Sequence, residues 1–159
     1  MFVPLNTKTE YSFLDSMVRV SDYIKTAAQM GYQTIGMCDN GNLHAAYRFI
    51  QMAKEKQLRA VIAIELAFEL FDFPMSMAFI AKNTTGYKNL LRISTLYNEG
   101  HTQFSAIKAY LSGLAIVIPE AYGDLSALTE LKNQAELYVG ITHQTSPKTT
   151  FTLPVIPFD

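Results

Sequence analysis

Phe2-Val3-Pro4-Leu5-Asn6-Thr7-Lys8-Thr9-Glu10-Tyr11-Ser12 opens the chain and decides how the rest is read. A short apolar run, Phe2 to Leu5, passes into the polar Asn6, Thr7, Lys8 and Thr9. That is the pattern of a buried strand with a polar far end. In an α/β chain that starts with a strand, ligands and chemistry gather at the carboxyl ends of the strands. Asn6 and Lys8 are separated by a single residue, so in a strand they project the same way. That spacing suits a pair of metal ligands when the residues are His or Asp. A neutral amide is a poor ligand, and a protonated Lys has no lone pair to give. The stretch stands where a metal site could be, with side chains unsuited to one.

Beyond it, strands and helices alternate. Ser21 is read as the N-cap of a helix bearing Tyr23, Ile24, Ala27 and Ala28, stopped by Gly31. A strand follows over Thr34 to Cys38 and breaks into the turn composition Asp39-Asn40-Gly41-Asn42. Leu43, Ala46, Tyr47, Ile50 and Ala53 mark a second helix, and Arg59 to Phe68 a further strand. Within that strand Val61-Ile62-Ala63-Ile64 is apolar on both faces, as in a parallel sheet covered by helices. Phe71 to Pro74 reads as a turn and Met75 to Ala81 as a strand. The helix after it carries Leu90, Leu91, Ile93, Leu96 and Tyr97 and closes at Gly100. Leu114 to Ile118 is a strand, Asp124 caps a helix with Leu125, Leu128 and Leu131, and Glu136 to Thr142 is a strand again. A loop around Pro147 leads to Leu153-Pro154-Val155-Ile156-Pro157-Phe158-Asp159, which reads as a strand with nothing after it. The chain is therefore expected to be an N-terminal piece of a longer one. The alternation predicts an α/β fold, either a mostly parallel sheet or an irregular barrel.

The 159 residues suffice for one domain with a proper core, and 49% apolar with 17% charged residues is a globular composition. A net charge of −1 supplies no broad footprint for nucleic acid or an anionic membrane. Cys38 is the only cysteine, which excludes internal disulfides and Cys-rich zinc sites and suits a reducing compartment. No signal peptide opens the chain and no apolar run reaches the ~20 residues of a membrane span. A cytoplasmic protein is expected.

Four stretches together carry a resemblance. They are Phe2-Val3-x-Leu5-x-x-x-Thr9-Glu10-Tyr11-Ser12-Phe13-Leu14-Asp15, Cys38-Asp39-x-Gly41-Asn42-Leu43, Ile64-Glu65-Leu66 and Ala81-Lys82-Asn83-x-x-Gly86-Tyr87-x-Asn89-Leu90-Leu91. In order and spacing they resemble the N-terminal polymerase-and-histidinol-phosphatase (PHP) domain of bacterial DNA polymerase III alpha subunits. The resemblance implies a distorted β/α barrel, with residues 1–159 as one PHP-like domain at the start of a polymerase chain. Active members of the family hold a metal cluster with His, Asp and Glu. Where that pattern has His-x-His, this chain has Asn6 and Lys8. Where it has Asp-His, this chain has Asp39 and Asn40. The strand-ending Glu is kept as Glu65, and a further His is replaced by Ser76. Asn6, Lys8, Asp39, Asn40, Glu65 and Ser76 are thus expected to form a vestigial site with no metal, no cofactor and no catalytic residue. A hydrolytic metal cluster needs several imidazole or anionic donors per ion. Asp39 and Glu65 alone suit at most a weakly held hard cation.

Plainer readings compete at each position. Asp39 suits an ordinary turn, and Glu65 at the end of an apolar strand calls for an ion-pair partner before it calls for chemistry. His44, His101 and His143 match no ligand position of the family and read as surface or loop residues. Cys38 reads as a buried filler and the aromatic residues as core. The favoured function is a catalytically silent, structural or protein-interacting domain of a replicative polymerase. Its partners are then the remainder of the alpha subunit and other replisome proteins, without direct nucleic-acid or membrane binding. The alternative is a divalent-metal phosphoesterase, a 3′–5′ exonuclease or pyrophosphatase. Without metals, Asp39 and Glu65 are expected to face each other, with the Lys8 ammonium pairing with Glu65, Asp39 or both.

Overall fold

Ile24 and Ala27 of the predicted apolar stripe line the buried side of the first helix, α1 (Val20–Gln29), together with Val20, while Tyr23 and Ala28 are half-buried. The computed structural model describes residues 3–70, 73–118, 135–141 and 155–157. The chain divides into two compact units, Met1–Glu65 and Leu66–Asp159.

In the first unit α1 ends as the sequence leads one to expect. Gly31 sits at φ +78°, its N–H donates to Ala28 C=O, and the Tyr32 N–H reaches back to Ala27 C=O at 3.1 Å. This double closure satisfies the helix's last carbonyls. The start differs from expectation. Ser21 lies inside the helix, not at its cap, and the Val20 N–H donates instead to Glu10 Oε2 at 2.8 Å. A carboxylate ten positions upstream does the capping, which no local pattern reveals. The strand β1 (Thr34–Asn40) runs past Cys38, so Asp39 is a strand residue and the turn begins at Gly41, φ +74°. The helix α2 (Ala46–Glu55) buries Ala46, Phe49 and Ala53 on one side, and Tyr23 of α1 stacks on Phe49 at 5.9 Å. Its end uses Gln57 at φ +57°, the left-handed position that glycine usually fills. Strand β2 (Arg59–Leu70) then pairs in parallel with β1, Thr34 opposite Arg59 through Asn40 opposite Glu65.

Burial along β2 changes character. Ile62, Ala63 and Ile64 are buried in succession, as in a strand covered on both faces. From Leu66 onward burial alternates, with Leu66 and Phe68 in and Ala67 and Glu69 out.

In the second unit β3 (Phe73–Ala81), α3 (Thr84–Asn98), a 3-10 helix (Phe104–Tyr110), β4 (Leu114–Ile118), β5 (Glu136–Ile141) and β6 (Val155–Pro157) follow. Within this unit the strand order is β2-β3-β4-β5-β6, β2 contributing its end from Leu66 onward. β4 pairs in parallel with β5 and β5 with β6, while β3 and β4 are antiparallel. The sheet is mixed, parallel at β1–β2, β4–β5 and β5–β6 and antiparallel at β3–β4, within the α/β class that the alternation predicts. Phe68 centres an aromatic cluster, edge-on to Phe79, Tyr97 and Phe104 at 5.4–6.2 Å. Asn83 caps α3 by accepting the Gly86 N–H at 2.9 Å, and Gly100 at φ +92° closes it. The helix expected after Asp124, the loop around Pro147 and His143 lie outside the described residues. So do Phe2, Phe71 and Asp72, Thr142, and the flanks of β6.

Candidate functional site

Residues 3–9 were expected to form the first strand, and no strand is assigned to them. Pro4 has no N–H to give a ladder. The segment lies against β1 instead: the Cys38 N–H donates to Thr7 C=O at 2.8 Å. The approach is very close at Gly36, where a Cβ would stand 2.5 Å from the Pro4 carbonyl oxygen and 3.0 Å from Leu5 Cα. Only a glycine permits it. This contact fixes where Asn6, Lys8 and Thr9 stand relative to the end of β1.

Two separate polar clusters result. In one, the Lys8 ammonium donates to Glu65 Oε2, the pair being partly buried with side chains 17% and 21% exposed. In the other, Asp39 is fully buried and its carboxylate accepts three hydrogen bonds. The Thr9 N–H reaches Oδ1 at 2.6 Å, the Thr9 hydroxyl reaches Oδ2 at 2.7 Å, and the Ser12 hydroxyl reaches Oδ1 at 2.7 Å. The Asn40 N–H in turn donates to Ser12 Oγ at 3.1 Å.

Register explains the separation. Asp39 is the partner of Ile64 and Asn40 that of Glu65. Partners share a face and neighbours along a strand alternate, so Asp39 and Glu65 leave the strand pair on opposite sides. The two carboxylates do not face each other as expected, and Lys8 serves Glu65 while Thr9 and Ser12 serve Asp39. Asn40 Nδ2 donates to Asp15 Oδ2. Asn6 Oδ1 is buried and accepts no hydrogen bond. Ser76 lies exposed on β3 in the second unit and is described with that unit. His44 and His101 are exposed.

Cys38 is fully buried, and burial first, then the nearby Glu65 and Asp39 against the opposing pull of Lys8, pushes its thiol up to about 12. It stays a thiol at neutral pH and packs as an apolar side chain. Among the described residues no group of three or more His, Cys, Asp or Glu side chains is placed to hold a metal. The residues that sequence reasoning left without a role are Thr9, Ser12 and Glu10. The Thr9-x-x-Ser12 spacing carries no signal until β1 places a carboxylate beneath it.

The Lys8–Glu65 pair has a measurable weight. Lys8→Met keeps the length and apolar stem but removes the ammonium. With the pair partly exposed, the expected loss is about 1–3 kcal/mol in urea unfolding at neutral pH. A change within the error of the measurement would show that solvent serves Glu65 as well as Lys8 does.

With the geometry in place, the chain can be set beside known proteins. A family model described as "PHP domain" matches residues 4–146. The DNA polymerase III subunit alpha of Streptococcus pyogenes serotype M3 is 39% identical over 119 residues, covering 75% of this chain and 12% of that protein. The subunit of the same name from Aquifex aeolicus is 31% identical over 159 residues, covering 88% of this chain and 13% of that protein. The chain thus spans a small part of the length of these relatives. A crystal structure of a candidate metal-dependent phosphoesterase from Bifidobacterium adolescentis superposes with TM-score 0.59 at 10% identity. It covers 92% of this chain and 79% of that one. At that identity the likeness concerns the fold alone.

Proposed function

Because this chain belongs to the PHP domain family, we propose that it is the N-terminal PHP domain of a DNA polymerase III alpha subunit. In this reading the parent protein replicates DNA in the cytoplasm, and the domain itself is catalytically silent and structural. The observation that carries the silence is the Lys8–Glu65 pair. A metal cluster requires Glu65 as an anionic ligand, and a cation already occupies its carboxylate. The remaining donors do not fit a cluster either. Both oxygens of Asp39 are taken by Thr9 and Ser12, and Asn6 and Asn40 offer neutral amides. Placing a divalent ion beside Lys8 would also set like charges together. No helix among the described residues is long and apolar enough to cross a membrane.

The test is metal content and hydrolysis in one preparation. The protein incubated with manganese or zinc and desalted is expected to carry no stoichiometric metal by mass spectrometry. It is expected to leave a 3′-ended DNA strand and pyrophosphate uncut. The triple variant N6H/K8H/N40H, which restores imidazoles at the positions the family pattern assigns, is expected to gain metal. Stoichiometric metal in the unaltered chain, with hydrolysis that Glu65→Ala abolishes, would establish the phosphoesterase reading instead.

A further inference from the structure

Lys88, Arg92, Thr95 and Glu99 follow one another along α3 at the spacing of a helix seam, i, i+4, i+7 and i+11, and all four are exposed. The helix buries Gly86, Leu90 and Ile93 on its other side. Leu91 flanks the seam and is 44% exposed. Together with half-buried Leu96 and with Tyr110 of the 3-10 helix, these side chains border an open groove of about 560 Å³. Among the described residues, Lys88, Arg92 and Glu99 enter no ion pair. The Thr95 hydroxyl donates to Leu91 C=O at 2.9 Å, which leaves its oxygen able to accept.

The order of the charges opposes the helix that carries them. A helix favours acids at its start and bases at its end. α3 has no acid in its first turn and no base in its last, and Glu99 stands at its C-cap. Lys88 and Arg92, one turn apart, also repel each other. An antiparallel copy of the same helix answers each of these features. Centred between Ile93 and Ser94, it sets Lys88 opposite Glu99 of the copy and Arg92 opposite Thr95, twice over. It brings the two Leu91 side chains to the same flank of the seam, where they cover each other.

We infer that this face of α3 is self-complementary and binds the same face of a second copy of the chain about a twofold axis. Charge complementarity selects the occupant. A foreign partner would have to supply an acid and a base at the matching spacing, whereas a second copy carries both by symmetry. One helix face is small beside the ~1,200–2,000 Å² of a stable interface, so the dimer is weak, with a dissociation constant of order 10–100 µM. The pairing stands whether or not the chain belongs to a polymerase.

The test is sedimentation equilibrium of the full-length chain at about 1–100 µM in low salt. The unaltered chain is expected to pass from monomer to dimer over that range. Lys88→Glu and Glu99→Lys are each expected to raise the dissociation constant at least tenfold, because each sets like charges together at both ends of the seam. An equimolar mixture of the two variants is expected to associate again, within about threefold of the unaltered chain, as is the double variant K88E/E99K. Both reversals favour the isolated helix, so the urea midpoint of the dilute monomer is expected to hold or rise. A midpoint that falls would show that the charges serve the single chain and would overturn the proposal. An unaltered chain that stays monomeric, as when its own remainder covers α3, would overturn it too. So would association that the single reversals leave intact, or a mixture that stays monomeric.

Discussion

Asp39→Ala is expected to cost the protein about 3–4 kcal/mol in urea unfolding, a large share of the ~5–15 kcal/mol that holds a typical domain together. The substitution removes the acceptor for the Thr9 N–H, the Thr9 hydroxyl and the Ser12 hydroxyl in a place closed to water. A buried donor left unpaired costs ~1–3 kcal/mol, and the two hydroxyls can recover part of that by rotating, which keeps the total below a simple sum. Asp39→Asn separates the electrostatic role from the steric one. It keeps one oxygen to receive the Thr9 N–H and Ser12 hydroxyl, and it turns an N–H toward the Thr9 hydroxyl. That hydroxyl can accept as well as donate, so roughly half the loss is expected. The release should also be local. Amide exchange at Thr9 and through residues 10–18 is expected to rise ahead of global unfolding in both variants. Stability within about 1 kcal/mol of the parent for Asp39→Ala would mean that these donors reach solvent after all.

Gly86→Ala sets two magnitudes against each other. By helix propensity alone alanine inside α3 gains up to ~1 kcal/mol over glycine. The structure opposes it with backbone. A Cβ at Gly86 would lie 2.0 Å from the Gly113 carbonyl oxygen and 2.8 Å from its carbonyl carbon. Gly113 cannot retreat cheaply, because its φ is +76° and its carbonyl accepts the Lys82 N–H at 3.0 Å. Separating the helix start from the turn before β4 would also disturb the bond from Gly86 N–H to Asn83 Oδ1. The expected result is a loss of about 3 kcal/mol or more, read as a lowered midpoint in urea with an unchanged slope. The sign is the decisive reading. A stabilised variant would show that propensity wins and that the helix stands off from the turn.

Much of the fold is legible in the sequence because periodicity and glycine carry it. Ile24 and Ala27 lie on the buried side of α1, Gly31 and Gly100 stand at the helix ends, and Leu114 to Ile118 is a strand to the residue. The match to the family and the structural neighbour agree with the α/β fold that these elements imply and with the PHP type that the resemblance implies. Legibility stops where one backbone supplies what another lacks. Phe2 to Leu5 has the pattern of a strand, yet Pro4 and the close contact at Gly36 make the described residues 3–9 a packed extension beside β1. Ser21 has the chemistry of a cap, but Glu10 reaches the helix start first. At the site, the pairing of Lys8 with Glu65 could be anticipated from length and charge. The separate burial of Asp39 could not, since it depends on the register that sets Asp39 opposite Ile64 and Asn40 opposite Glu65.

The ammonium on Glu65 also bears on how the domain reaches its native state. A carboxylate that waits for a divalent ion folds at the mercy of supply, and chelation or ion scarcity then becomes a route to unfolding. Lys8 comes with the chain, only 57 positions before the acid that it neutralises. Its cation arrives at synthesis and cannot be stripped by a competing ligand. In the proposed reading, the part of the fold around Glu65 is then independent of metal supply.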